Sequence, residues 1–393
     1  MKPQPPGLTV TTAIKFNLHL EVAVLTHTKQ KVAIRVAASL VLALAILLTF
    51  SFAGCKLTPL VGGNKEPSTT NPQQTLGHVD PPDPKPQIPA FLNPLTGLGT
   101  TEALAGMRPI SVCLGNTSAE DTPQFGISHA DILVEVPVEG GISRLMMITT
   151  DYRALDKIGS VRSTRNSLAR LADSFDAVQM YAGTCDEGTS VLLPYDTLDY
   201  LTQNLPNIYY RDSERKAPYN LMTSGSLAAS GIAAFNYRTT LAEDFALPYT
   251  FAAYGDTVLP EDDTALAVRI AYSYVNTVTF TYDTESHTYS RTQFGTVQKD
   301  ASGQALTFTN LFVLNSDTIT YENASGSTLE LAMENGGTGI WCSEGRREEI
   351  RWSMSEDGQF TFTDKDGKPL EVNRGVSYIG FVKVSQTGAV SVQ

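Results

Sequence analysis

Between Val36 and Gly54 the chain carries no charged residue. These 19 positions, VAASLVLALAILLTFSFAG, are followed at once by Cys55 and preceded by Lys29, Lys31 and Arg35. A basic flank before an apolar core is the pattern of a secretory signal, oriented by its Lys and Arg. Whatever follows must then fold outside the cytoplasmic membrane. The small residues Ala53 and Gly54 before Cys55 resemble the bacterial lipobox. That resemblance implies that Cys55 is diacylated on sulfur and becomes the first residue of a mature chain anchored on the extracytoplasmic face. The alternative is an uncleaved transmembrane helix, since a run of this length nearly spans ~30 Å of hydrocarbon.

Residues 1–54 thus read as a signal peptide, and residues 55–90 as a tether. Eight prolines fall between positions 56 and 90, with almost no large apolar residue after Val61. Such a segment cannot bury enough surface to offset the entropy of ordering it, and at ~3 Å per residue it could reach up to ~100 Å. Beyond residue 54 there are 24 basic and 40 acidic side chains, a net charge of −16. This balance argues against nucleic acid as a partner and against adhesion to anionic lipid through bulk charge. Only five histidines occur in the whole chain, which leaves little material for a multi-histidine metal site or a bound cofactor.

Two textures follow the tether. In residues 91–255, Ile110–Leu114, Ile132–Val138, Met146–Thr150 and Val178–Ala182 are rich in β-branched residues and read as strands. Thr164–Phe175 has Leu168, Leu171, Ala172 and Phe175 at helical spacing; Val191–Leu201 and Ser224–Ala234 also read as helices. No glycine fingerprint accompanies them, so a mixed-sheet α/β or α+β domain is expected rather than a doubly wound nucleotide-binding sheet. In residues 256–393 the pattern alternates apolar and polar, with turn signals at 283–286, 335–337 and 366–367. Antiparallel hairpins follow from that spacing, giving a smaller β-rich domain with 10 basic and 19 acidic residues. The fold class is α+β.

Four ordered motifs, NPLTGL (93–98), ISHADILVEVPVEGGISRL (127–145), IGSVRSTR (158–165) and YYRDSERKAPYNLMTS (209–224), resemble the YerB-like lipoprotein family of Gram-positive bacteria. The second half, with VNTVTFTYD and GTGIWCSEGRREEIRW, is similar to that family's second domain. The resemblance implies an extracytoplasmic lipoprotein with an α+β domain and a β-rich domain, and no known reaction. Tyr219 departs from the His common there, and Ala182-Gly183-Thr184-Cys185 from a more Gly-rich turn.

Candidate binding residues are the cations of this acidic chain. Arg162 and Arg165, with Ser163 between them, fall at the entrance of the helix expected from Thr164, where free amides and the helix dipole favour an anion. Arg211, Arg215 and Lys216 form a second basic knot, with Asp212 and Asn220 beside it. Should both knots gather next to Arg144, they would make a local positive basin able to hold carboxylate or phosphate of a wall polymer. The plainer expectation pairs these arginines with Asp173, Glu135, Glu139 and Asp212 in structural ion pairs.

Catalytic readings fare less well. Glu135 and Glu139 lie four residues apart, so on a strand their Cβ atoms stand ~13 Å apart, beyond glycosidase separations unless the chain bends at Pro137. His129 and Asp131 lack a nucleophile elbow. Cys185, beside Asp186 and Glu187, would be a blunted nucleophile. Cys113, Cys185 and Cys342 are an odd number, so at most one disulfide forms. Asp283, Glu285, Asp364 and Asp366 lack EF-hand spacing, and acidic turns are usually just solvated. The leading expectation is a non-enzymatic binding or adaptor protein of the cell envelope, engaging an anionic wall polymer or a membrane-bound wall-synthesis protein. An envelope hydrolase or transferase acting on such polymers is the alternative, and a structural surface antigen the third.

Overall fold

A computed structural model describes residues 87–393 apart from 119–120, 185–193, 202–206, 324–325 and 387. The signal, Cys55 and nearly all of the tether lie outside the described residues, as does Cys185. Among the described residues no helix is long and apolar enough to cross a membrane.

The first part of the chain supplies β1 (Ile110–Leu114), β2 (Ile132–Pro137), β3 (Ser143–Thr149), β4 (Ile158–Gly159), helix α1 (Asn166–Ser174), β5 (Val178–Tyr181), β6 (Thr197–Asp199), β7 (Tyr210–Arg211), β8 (Leu221–Thr223), helix α2 (Gly225–Ala234) and β9 (Thr250–Phe251). The second supplies β10 (Ala267–Ala271), β11 (Thr277–Asp283), β12 (Thr288–Gln293), β13 (Thr296–Val297), β14 (Thr307–Phe308), β15 (Asn310–Ser316), β16 (Thr318–Asn323), β17 (Gly326–Leu331), β18 (Gly337–Ser343), β19 (Arg346–Met354), β20 (Phe360–Asp364), β21 (Glu371–Val372), β22 (Ser377–Lys383) and β23 (Val390–Val392).

One sheet of ten strands, in the order β20-β19-β18-β15-β22-β2-β3-β1-β5-β6, crosses residue 255, so both textures of the sequence contribute to it. The fold is α+β with a mixed sheet. The turn at 283–286 joins the antiparallel pair β11 and β12, whereas 335–337 links β17 to β18 in another sheet and 366–367 links β20 to β21, which pairs with β9; β22 also departs from the antiparallel expectation. It lies between β15 and β2 and runs parallel to both. A strand inserted between partners far away in sequence owes its direction to the fold and not to a turn, so no local signal announces it. The described residues, from 87 onward, belong to one compact unit.

Both faces of the large sheet are covered. Val112, Leu133, Met147, Leu311 and Tyr378 face a second sheet of six strands, β13-β12-β11-β10-β23 with β14 against β12. Cys113, Val134, Met146, Phe312 and Ile379 face α1 and an aromatic layer that includes Trp352, Phe360 and Phe362. The central strands β1 to β3 are buried at every position, so their apolar residues occupy both faces instead of alternating with exposed polar ones. By contrast, β11 and β12 alternate because one of their faces meets solvent.

The expected helix over 191–201 is corrected. Thr197–Asp199 is β6, paired parallel with β5, and 191–193 lie outside the described residues. Burial of Leu198 beneath α2 outweighs the helical spacing of that stretch.

A charged network lies in this core. Glu135 of β2 and Arg291 of β12 are fully buried and paired at 2.7 Å. Glu135 Oε2 also accepts from Tyr378 Oη (2.8 Å), while Oε1 accepts from Asn116 Nδ2 (2.9 Å) and Ser143 Oγ (2.6 Å). On the other side, Arg291 Nη1 donates to Gln293 Oε1 at 2.8 Å and to Gln298 Oε1. Tyr378 further meets Tyr272, their hydroxyls 2.9 Å apart, and burial beside Glu135 holds both phenols well above their usual pKa. Gly380, opposite Glu135 in the register, makes room: a Cβ there would sit 2.7 Å from the Tyr378 ring and 3.0 Å from the Tyr272 hydroxyl.

Removing one member of a buried ion pair costs about 3–5 kcal/mol because the other is left charged and dry. Arg291→Met is therefore expected to lower unfolding stability by roughly that amount, and Tyr378→Phe, which removes one donor of four, by about 1–2 kcal/mol. Urea unfolding followed by the fluorescence of buried Trp341 and Trp352 measures both. Equal, small losses would show that the pair does not hold the two sheets together.

Candidate functional site

The carboxyl ends of the parallel strands β1, β5 and β6 lie side by side, where open sheets commonly receive ligands. The segment 160–165 runs across them. Gly115 N donates to Ser160 O (3.2 Å), Arg162 N to Cys113 O (2.9 Å), Ala182 N to Arg162 O (3.0 Å) and Thr164 N to Gly183 O (3.0 Å). These bonds fix Arg162 and deliver Arg165 to the start of α1. Beside them the β2–β3 turn brings Glu139, and β3 brings Arg144.

Arg144 is 4 % exposed, and neither its Nε nor its Nη1 meets an acceptor among the described residues. Burial and the neighbouring Arg165 and Arg162 push its pKa down to about 10, against the pull of Cys113 and Asp121. Arg165, 5 % exposed, donates through Nη1 to Thr164 O and is paired through Nη2 with Glu139 Oε1, while its Nε has no acceptor. Arg162 is half-buried, donates to Pro218 O at 3.2 Å and lies 5.5 Å over the Tyr219 ring. Ser163 sits half-buried between them. Cys113 forms part of the floor, its thiol pushed up to about 11 by burial. It is inert at neutral pH, and Cys113 and Cys342 are both free and buried.

The first basic knot and Arg144 therefore come together. The second does not reach Arg144. Arg211 and Arg215 belong to the β7–β8 hairpin on the surface: Arg211 Nη1 donates to Asn220 Oδ1 (2.9 Å) and Arg215 donates to Pro123 O, 4.9 Å over the Phe125 ring. Lys157 approaches the same ring at 4.0 Å. Lys216 is exposed. Asp212 is paired with Lys157 at 2.6 Å, which holds its carboxyl below the usual range. Arg162 joins the knots through the Pro218–Tyr219 turn.

Two expectations are corrected. The amides at the start of α1 are not open to a ligand: Asn166 N and Ser167 N donate to the Glu330 carboxylate at 3.0 and 3.2 Å, so β17 caps the helix from 163 or more residues away. Glu135 pairs with Arg291 rather than with any arginine of the two knots, and Asp173 joins no ion pair among the described residues. Glu139 does bind Arg165, so Glu135 and Glu139 are committed to different cations on opposite faces of the sheet and do not form a catalytic pair. The NPLTGL motif proves structural. Asn93 Nδ2 donates to Asp131 Oδ1 (2.9 Å) and its Oδ1 accepts from Leu95 N (2.8 Å), which staples the incoming chain to β2.

Glu330, Thr164 and Cys113 were not legible as site residues. Glu330 stands in an alternating strand with no local mark. Cys113 lies within an apolar run, where a small hydrophobe is the ordinary reading.

The shift on Arg144 corresponds to a burden on the order of 3 kcal/mol on the empty fold. An unfolded guanidinium holds its proton more tightly than this one, so the burden is complete below pH 10 and fades as pH rises toward 12.5. Without added anion, Arg144→Met is expected to raise stability near neutral pH by roughly 1–4 kcal/mol, with the gap to the native protein narrowing above pH 10. Chemical denaturation across that range measures it, and a less stable variant would contradict an uncompensated charge.

Comparison with known proteins places this geometry. Residues 95–238 match the N-terminal domain, and residues 268–379 the C-terminal domain, of the protein family of unknown function DUF3048. The chain is 26 % identical over 304 residues to "Putative lipoprotein YerB" of Bacillus subtilis (strain 168), covering 76 % of this chain and 88 % of that one. The crystal structure of the YerB protein from Bacillus subtilis superposes with a TM-score of 0.65 at 25 % identity, covering 77 % of this chain and 99 % of that chain. The chain belongs to the DUF3048, YerB-like family, whose two domains here share a single sheet.

Proposed function

We propose that this protein is a lipid-anchored binding protein of the cell envelope, and that Arg144, Arg162 and Arg165 receive an anionic group of a wall polymer or of a wall-synthesis partner. One observation carries the reading. A guanidinium buried to 4 % with unmet donors is a costly arrangement, and an oxyanion accepting paired N–H bonds relieves it. Support for the setting comes from the lipoprotein relative and from the signal-like run ending in Cys55. The tether gives the folded body reach into the wall.

Two measurements test this. Cells fed a labelled fatty acid are expected to label the chain, and Cys55→Ser to abolish the label; an unlabelled native protein would remove the anchor. Full-length protein in detergent micelles is expected to be retained on isolated cell walls, and less so on walls stripped of phosphate polymers. Arg144→Met should weaken that retention at least ten-fold without loss of thermal stability. Undiminished retention would exclude Arg144 as the contact.

A further inference from the structure

The six-stranded sheet ends in an open edge. Its last strand, β23, pairs with β10 and with no other strand among the described residues. Gln393 exchanges both backbone bonds with Ala267, and Ala271 N donates to Ala389 O. Bonding sides alternate along an antiparallel strand, so the N–H and C=O groups of Val390 and Val392 point away from β10. Two donors and two acceptors therefore stand along this edge, while both valine side chains turn in toward the core between the sheets.

The edge borders a groove of about 440 Å³, which Val390 and Val392 line on one side. Its floor belongs to the large sheet, which runs on past β23 through β18 and β19. Val313 and Ile340 give that shelf apolar surface, and the exposed Thr338 lies beside them. Charge does not select an anion here. Arg347, Arg351 and Lys365 line the groove with Glu349, Asp263 and Glu261 are paired with two of these cations at 2.8 and 3.2 Å, and Asp262 accepts from Glu349 N at 2.9 Å. Three cations thus stand against four carboxylates. What the groove offers instead is a row of unpaired backbone groups above an apolar shelf, the complement of an extended chain. Antiparallel pairing of two copies about a two-fold axis would put both shelves on one side of the joined sheet, where they collide. The space suits a single strand and not a second folded body.

We infer that the groove receives an extended peptide segment of a partner protein, added to β23 in the antiparallel sense of every other pairing in that sheet. Alternate β-branched side chains of the segment rest on Val313 and Ile340, and the same residues exchange backbone bonds with Val390 and Val392, because directly paired residues share a face. This inference is independent of Arg144.

Fluorescence anisotropy of the full chain in detergent micelles with the labelled peptide Thr-Val-Thr-Val-Thr-amide tests it. N-methylation of the two valines is expected to weaken binding at least ten-fold, whereas N-methylation of the central threonine, whose N–H faces solvent, leaves it unchanged. Val390→Pro, which deletes an outward N–H and no bond to β10, should weaken the unmethylated peptide at least ten-fold with an unaltered melting temperature. Equal effects of the two methylation patterns would overturn strand addition, and undiminished binding to Val390→Pro would overturn β23 as the edge. Absence of binding to the native protein would overturn the site itself. A native dimer in sedimentation that Val390→Pro dissociates would overturn the peptide in favour of a second copy.

Discussion

The ion pair between Glu135 and Arg291 is the contact on which the architecture turns. Each side chain is entirely shielded from water, and each comes from a different sheet and a different domain of the family. Neither charge could be tolerated there alone. Four donors converge on the carboxylate, and two glutamine oxygens accept from the guanidinium, so the pair has the secondary partners without which a buried ion pair is a net cost. Such a network fixes register as well as energy. A slip of one residue in β2 would turn Glu135 toward α1 and strand Arg291 in an apolar core.

Seen from this pair, the two faces of the large sheet have different tasks. On one face a carboxylate is fully answered, and the result is cohesion between layers. On the other, Nε and Nη1 of the buried Arg144 have no acceptor among the described residues, although the charge of Asp121 acts on it. Two arginines thus differ by what surrounds them: Arg291 is paired directly with Glu135, while Arg144 has two more arginines, a buried thiol and the carboxylate of Asp121 around it.

Much of this was readable in the amino acids. Ile110–Leu114 was bounded to the residue, because a β-branched run closed by Pro and Gly leaves few choices. Arg144, Arg162 and Arg165 were singled out as cations in an acidic chain, and they do come together. What could not be read was pairing at a distance. Glu135 was expected to pair with an arginine of the two basic knots because nothing near it names Arg291, 156 residues away. The amides of α1 looked free for the same reason, since Glu330 reaches them from a distant hairpin. Thr197–Asp199 looked helical because its strand partner lies outside its own window. Local spacing encodes elements and their faces; it does not encode which charge another charge will meet.

The insertion of β22 between β2 and β15 has a consequence for biogenesis. A ribosome releases β2 some 240 residues before the strand that must flank it, and long-range closure of this kind is slow. A polypeptide threaded N-terminus first through a translocation channel would hold its central sheet unfinished until almost the last residues emerged.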